Sequence, residues 1–328
     1  MTQPWIAERE VPPALARALI EAQFPELAPA RVEAFGVGWD NVAYRVNEQF
    51  VFRFPRRQLG AECMEAEIAV LPHVAGRLPL PVTDPCFVGR AAEDYPWPFA
   101  GYRMLPGRTA CTAGLDDAQR TRLAEPLAHF LATLHAFTPP QIYEWNAAPD
   151  TLGRLDTQKR IPMARQALER VRQLGLMEDL DPFFALMEDL ARRHRTDPPA
   201  GKAASTMEAE PIVLVHGDLY ARHLLVDESG ALCGVIDWGD VHAGRAATDL
   251  MIAHSFLPPA AHARFRQAYG PISDKAWRMA RFRAFYHSAI VAAYAHDIAD
   301  EALLRESRTA LHFISSNFED RNSKKFLI

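Results

Sequence analysis

No lysine precedes Lys159 in this chain, so every strongly basic side chain in its first half is an arginine. The four cysteines, Cys63, Cys86, Cys111 and Cys233, include no Cys-x-x-Cys pair, which argues against a zinc site or a disulfide framework and for reduced thiols. Basic residues are not in excess. The net charge is −5 and the pI about 6.2, the opposite of the basic face that nucleic-acid binding calls for. Long apolar runs are missing too. "HSAIVAAYA" (His287–Ala295) is far too short to span a bilayer, and the opening "MTQPWIAERE" carries acids where a signal peptide would carry its apolar core. No internal repeat is present. A soluble, cytoplasmic protein is therefore expected, with no nucleic-acid, membrane or obligate protein partner. What the chain has in quantity is apolar residue, 49% of 328, enough to bury one large core or two ordinary ones.

The chain changes texture near its first third. "PPALARALIEAQF" predicts a short helix opened by prolines. Ala34 to Arg57 alternate and are rich in aromatic and β-branched residues, and "VNEQFVF" places a polar turn between two apolar halves, a hairpin. "AECMEAEIAVLPHVAGRL" has helical spacing and stops near Gly76, and "PWPFAGYRMLPGRT" is a strand running into a Pro-Gly turn. After Gly107, "DDAQRTRLAEPLAHFLATLHAF" predicts an amphipathic helix with an acidic cap. Arg-rich helical segments follow, their arginines read as solvated faces, then a loop, "TDPPAGKAASTMEAEP". From Asp249 the pattern is helical again, with an Ala-rich buried helix and a polar tail. The expected architecture is α+β: a small strand-rich lobe with one inserted helix over residues 1–105, including a connecting strand, and a larger helical lobe with one embedded hairpin over 106–328.

Chemistry concentrates in "VLVHGDLYARHLLVDESGALCGVIDW", Val213 to Trp238. Asp218 lies on a loop, His223 follows five positions later, and Asp237 ends a strand beyond a "DESG" turn. Phosphoryl transfer asks for such a set: a carboxylate to orient a hydroxyl and take its proton, and ligands that fix a divalent ion on nucleotide phosphates. The stretch resembles the H-R-D-x-x-x-x-N and D-F-G loops of protein kinases. In its "HGD" and "IDW" form it resembles the small-molecule kinases of the aminoglycoside phosphotransferase family.

That resemblance implies a two-lobed, protein-kinase-like fold, ATP or GTP as phosphate donor, and Mg²⁺. Asp218 would be the catalytic acceptor, His223 and Asp237 the metal ligands, and His216 a support for the loop. "GVGWDNVAYRV" resembles the nucleotide-positioning loop, with Gly38 in it. The family's third-strand cation would be Arg53 in "VFRFP", since no lysine is available, and a guanidinium grips phosphate well. Its carboxylate partner would be Glu67, with Glu65 as the alternative. "GYRMLPG" resembles the hinge: Arg103 and Leu105 would offer main-chain bonds to the base, Tyr102 would stand behind it, and Val51, Leu225 and Ile236 would sandwich the ring. Tyr102 would favour GTP. Asp249, in "GRAATDLM", matches an Asp that bonds the catalytic loop, although Arg245 and Ala246 replace the usual Asp-Pro. His135 reads as a satisfied core histidine.

Histidine at position 223 is unusual, because magnesium prefers oxygen ligands. The macrolide phosphotransferases, one branch of this family, carry H-G-D-L-x-x-x-H, and "HGDLYARH", "RFPRR" and "LPLPVTDP" resemble them. His223 would then touch the metal directly or through water. The implied reaction is phosphorylation of a small-molecule hydroxyl, that of a macrolide amino sugar foremost, as in antibiotic resistance. Asp240 would face the sugar's amine, or else cap the next turn. The alternatives are a kinase of an aminoglycoside or another metabolite, and a kinase-fold protein that binds nucleotide without transferring phosphate.

Overall fold

Two prolines open the first helix, α1 (Pro13–Gln23), where a missing backbone N–H costs nothing. In this computed structural model, which describes residues 7–196 and 210–323, α1 covers one face of a five-stranded sheet. The sheet is formed by β1 (Val32–Val37), β2 (Asn41–Val46), β3 (Phe50–Pro55), β4 (Pro85–Gly89) and β5 (Phe99–Arg103), in the order β1-β2-β3-β5-β4, all pairs antiparallel. The expected hairpin is β2–β3. Val46 pairs with Phe50, and the turn turns back through Asn47 and Glu48, both at positive φ. Asn47 suits that conformation because its side chain bonds the backbone of Arg31 and Leu27. Period-two alternation sends Tyr44, Phe52 and Phe54 under α1, and leaves Val51 and Arg53 on the opposite face.

That opposite face receives α2 (Gln58–Val74), the inserted helix. Its first turns meet the sheet through Met64 and Ile68 against Ala100 and Tyr102. Its last turns do something else. Val70, Leu71 and Val74 join the core of the large lobe, in one cluster with Leu127, Phe130, Leu131 and Trp238. The helix therefore belongs to both hydrophobic cores.

The large lobe contains β6 (Arg108–Thr109), α3 (Ala110–Ala113), α4 (Asp117–Leu134), α5 (Gln141–Glu144), α6 (Thr157–Gln173) and α7 (Asp181–Thr196). After the undescribed segment come β7 (Ile212–Val215), β8 (Leu224–Val226), β9 (Leu232–Val235), β10 (His242–Arg245), α8 (Ala247–Ser255), α9 (His262–Tyr269), α10 (Asp274–Asp297) and α11 (Glu301–Ser323). The acidic cap expected on α4 is a reciprocal capping box, with Asp116 and Gln119 each accepting from the other's backbone N–H at 2.7 and 2.9 Å. The embedded hairpin is β8–β9, with β6 beside β8. Most of the "TDPPAGKAASTMEAEP" loop lies outside the described residues. Among the described residues no helix is long and apolar enough to cross a membrane.

Two histidines, His254 on α8 and His262 at the start of α9, are buried among aromatics. His262 Nε2 donates to the Ala253 carbonyl at 2.9 Å, and its ring lies 5.1 Å from that of His254. Burial pushes the His262 imidazole down to about 4, and that of His254 well down too. The folded pKa lies below the unfolded value near about 6.5, so the unfolded chain takes up the proton first. Stability from the neutral ring is complete above that unfolded value and drains away as pH falls toward 4. Urea unfolding at about pH 7.5 and about pH 5 should show a loss of about 2 kcal/mol from His262 alone. His262→Gln, which keeps a donor for Ala253, should flatten that dependence; an unchanged slope would place the acid sensitivity elsewhere.

Candidate active site

The sequence His-Gly-Asp turns sharply after β7, and Gly217 carries the turn at φ 90°. A Cβ there would lie 2.1 Å from the Asp240 carbonyl oxygen, so only glycine fits. The turn is held from below by Asp249, in the first turn of α8. Its two carboxylate oxygens accept from the backbone N–H of His216 at 2.7 Å and of Gly217 at 2.9 Å, and His135 Nε2 lies 3.2 Å away. Burial pushes the Asp249 carboxyl up, but His135 and these bonds outweigh it and hold it below the usual carboxylate range. The departure at Arg245 and Ala246 leaves this arrangement intact: Arg245 points outward at the end of β10, where it pairs with Ile212.

His216 clamps the turn to the following strand. Its Nδ1 accepts from the Asp218 N–H at 3.3 Å and its Nε2 donates to the Ile236 carbonyl at 3.0 Å. Both nitrogens are used by a neutral ring, and burial lowers its pKa accordingly.

Three side chains converge beyond this clamp. His223 ends a short 3-10 turn (Ala221–His223), and its Nδ1 donates to the Asp218 carbonyl at 2.8 Å. That bond fixes the tautomer and turns Nε2 toward Asp237, whose Oδ2 is 3.2 Å away. Asp237 itself sits at φ 64°, a left-handed conformation that aims its carboxylate away from the strand. Burial opposes its ionisation, yet Arg53 and His223 hold its pKa far below the usual range. Burial likewise lowers His223, and Asp237 more than reverses it. Asp218 approaches His223 at 3.9 Å between Oδ2 and Nδ1.

Arg53 reaches this group from the small lobe. Its Nη1 bonds both carboxylate oxygens of Glu67, at 3.1 and 2.9 Å, and its Nη2 lies 2.5 Å from Asp237 Oδ1. Between the two candidate carboxylates the structure selects Glu67, which is fully buried; Glu65 points to solvent. The Glu67 partner is thus an interior ion pair and not a surface one.

Among the described residues no group of three or more His, Cys, Asp or Glu side chains is placed to hold a metal ion. His223 and Asp237 supply two donors, one nitrogen and one oxygen. Asp237 offers the carboxylate oxygen that magnesium accepts alongside water and nucleotide phosphates, whereas the imidazole of His223 is the poorer ligand for that ion and already faces the Asp237 carboxylate.

The other residues expected to contact nucleotide are placed as follows. Val51 on β3 pairs with Tyr102 on β5; Tyr102 is buried, its hydroxyl 3.4 Å from Met64 Sδ. Arg103 is exposed with its guanidinium 5.6 Å from the Phe50 ring centre, and Leu105 and the buried Leu225 both lie beside Gly234. Ile236 is half-buried, its N–H bonded to the His223 carbonyl at 2.9 Å. Gly38 is exposed in the β1–β2 loop, where its N–H bonds the Asn41 carbonyl at 2.8 Å. The neighbouring Trp39 packs edge-on against Tyr294 of α10, 5.1 Å between ring centres.

Asp240 does not stand free. Arg154, itself buried and bonded to Asp150 at 2.8 Å, forms an ion pair with it. Two further residues close on Asp218 from α10: His287 Nε2 is 3.0 Å and Arg283 Nη2 3.8 Å from Asp218 Oδ1. None of Arg154, Arg283 and His287 was singled out by sequence. For Arg283 and His287 the one signal available was their polarity on the largely apolar α10; Arg154, in the turn before α6, carried none.

Comparison with known proteins follows from this geometry. The family model for the phosphotransferase enzyme family matches residues 31–285. The uncharacterized protein YcbJ of Bacillus subtilis (strain 168) is 29% identical over 90 residues, which are 27% of this chain and 28% of that protein. The chain thus matches well under two thirds of that relative's length. Among solved structures, the GDP and kanamycin complex of APH(2″)-IIIa has a TM-score of 0.65 at 24% identity, covering 92% of this chain and 98% of that one. A macrolide 2′-phosphotransferase type I has a TM-score of 0.55 at 21% identity, covering 93% and 98%. At those identities the likeness concerns the fold, the two-lobed architecture expected from the sequence.

Removing the Asp249 carboxylate strands two buried N–H donors. Asp249→Ala should lower the unfolding free energy by about 2–4 kcal/mol in a urea titration. A loss under about 0.5 kcal/mol, the size of a surface change, would mean the turn is held by something else.

Proposed function

The chain belongs to the phosphotransferase enzyme family, and we propose that it moves the γ-phosphate of ATP or GTP to a hydroxyl of a small molecule. The observation that carries this reading is the convergence of Asp218, His223, Asp237 and Arg53 at one point between the lobes. Residues from β3, the loop after β7 and the end of β9 meet there, which no local structural need requires.

Each residue has a task. Asp218 orients the acceptor hydroxyl and takes its proton. Burial would push its carboxyl up, but His287, His223 and Arg283 outweigh it and keep it ionised. A carboxylate held so acidic is a weak base, which suits a loose transition state in which the hydroxyl loses its proton late. His223 and Asp237 would hold magnesium, which when bound neutralises charge on the phosphates. Arg53 offers the permanent cation beside them. Leu105, Leu225, Val51 and Ile236 would enclose the base, and Tyr102 would stand behind it. GTP as donor draws support from the guanine nucleotide bound in the solved relative.

For the acceptor, we favour the 2′-hydroxyl of a macrolide amino sugar, on the strength of "HGDLYARH" with histidine at the metal position. An aminoglycoside is the second reading, favoured by the higher structural likeness to the kanamycin complex. Asp240 bears on both. Its charge is shared with Arg154, so an acceptor amine reaches it only in competition with a guanidinium.

Transfer assays with ATP and GTP across macrolides, aminoglycosides and amino alcohols, read by product mass, test the proposal. Turnover of a macrolide with one added phosphate is expected. Asp218→Asn should cut kcat about 10²–10⁴-fold and leave nucleotide affinity in place. Unchanged turnover in that variant would assign the proton acceptor elsewhere, and absence of transfer to every acceptor would favour a nucleotide-binding protein without kinase activity.

A further inference from the structure

Helix α10 is Ala-rich and largely buried, yet one stretch of it carries Arg283, Tyr286 and His287. Buried polar groups need partners. Those found by these three converge on the loop that bears Asp218. Arg283 Nη1 bonds the Tyr286 hydroxyl at 2.8 Å and Nη2 bonds the Gly217 carbonyl at 3.2 Å. The Tyr286 hydroxyl in turn donates to the Arg154 carbonyl at 2.5 Å. Arg283 is thereby kept 3.8 Å from Asp218 Oδ1, too far for a hydrogen bond. His287 Nε2, at 3.0 Å, makes the direct one. The His287 ring is flanked by Tyr220 at 4.9 Å, and Tyr220 also lies against His223 at 4.5 Å, so the ring plane is held by packing.

We propose that His287 is a positioning residue for phosphoryl transfer, donating from Nε2 to Asp218 Oδ1 so that Oδ2 is the oxygen left to the acceptor hydroxyl. This rests on the phosphotransferase reading above. An ionised carboxylate only accepts, so the shared proton belongs to the imidazole, whose Nε2–H is a directional donor. Burial lowers the His287 pKa, in keeping with a neutral ring. Oδ1 is bonded; Oδ2 has His223 Nδ1 at 3.9 Å, and that nitrogen already donates to the Asp218 carbonyl. Without the His287 donor, the carboxylate is free to rotate about its last torsion. The nearest attraction is then Arg283, and a direct ion pair there would turn the reactive oxygen away from the acceptor.

The test compares His287→Leu, which fills the space without a donor, with His287→Gln, whose amide nitrogen reaches close to the Nε2 position. His287→Leu should lower kcat about 10–100-fold, with nucleotide and acceptor KM held within about threefold, as for loss of orientation. His287→Gln should recover to within about fivefold of the parent, and His287→Leu should cost no more than about twofold further in an Asp218→Asn background, where the group it serves is gone. Parental kcat in His287→Leu, equal loss in both variants, or a full additional loss in the Asp218→Asn background would each overturn the assignment. If the parent enzyme transfers phosphate to no acceptor and hydrolyses no nucleotide, the activity reading fails by itself. The bond is then judged by NMR of ¹⁵N-histidine protein: the His287 Nε2 proton should be protected in the parent and lost to exchange in Asp218→Ala. The same signal in both would overturn it.

Discussion

One guanidinium ties this molecule together. Arg53 leaves the small-lobe sheet, grips both oxygens of the buried Glu67 on α2 and reaches Asp237 of the large lobe. Burial pushes the Glu67 carboxyl up against the pull of Arg53, so this carboxylate tolerates the interior only while the guanidinium stays. Removing one member of such a pair strands a buried charge, which costs about 3–5 kcal/mol. The same contact sets the position of Asp237, the acid proposed to hold a metal ion. Structure and chemistry therefore depend on one group.

Helix α2 makes that contact rigid. Its C-terminal half is part of the large-lobe core through Val70, Leu71 and Val74. In its last turn His73 stacks on Trp145 at 5.0 Å, and just beyond it Arg77 lies 4.3 Å over Phe137. The helix that carries Glu67 is thus packed into the same core that carries the loop of Asp218. Arg53 and Glu67 are registered against the Asp218 loop by side-chain packing, and close-packed interiors yield little.

Three histidines divide the work around that loop, and their hydrogen bonds explain how. His216 spends both ring nitrogens on backbone groups and is structural. His223 spends Nδ1 on the Asp218 carbonyl and turns Nε2 to the Asp237 carboxylate. His287 presents Nε2 to the Asp218 carboxylate. The same side chain takes three arrangements because its neighbours decide what each nitrogen meets.

Much of this was legible in the residues themselves. The β2–β3 hairpin, the capped α4 and the order of Asp218, His223 and Asp237 are local features, written within a few turns of chain where alternation, caps and spacing act directly. Other decisions needed the folded chain. Glu65 and Glu67 stand two residues apart on one helix, and only packing against the sheet shows which faces Arg53. Arg154, 86 residues from Asp240, and His287, 69 residues from Asp218, carry no local mark of their partners. Their meeting is set by how α10 and the segment before α6 lie on the loops that bear Asp218 and Asp240. Local pattern determined the elements and the reactive loop; the pairing of charges across the cleft was decided by tertiary packing, because a buried charge is matched by what lies near it in space and not in sequence.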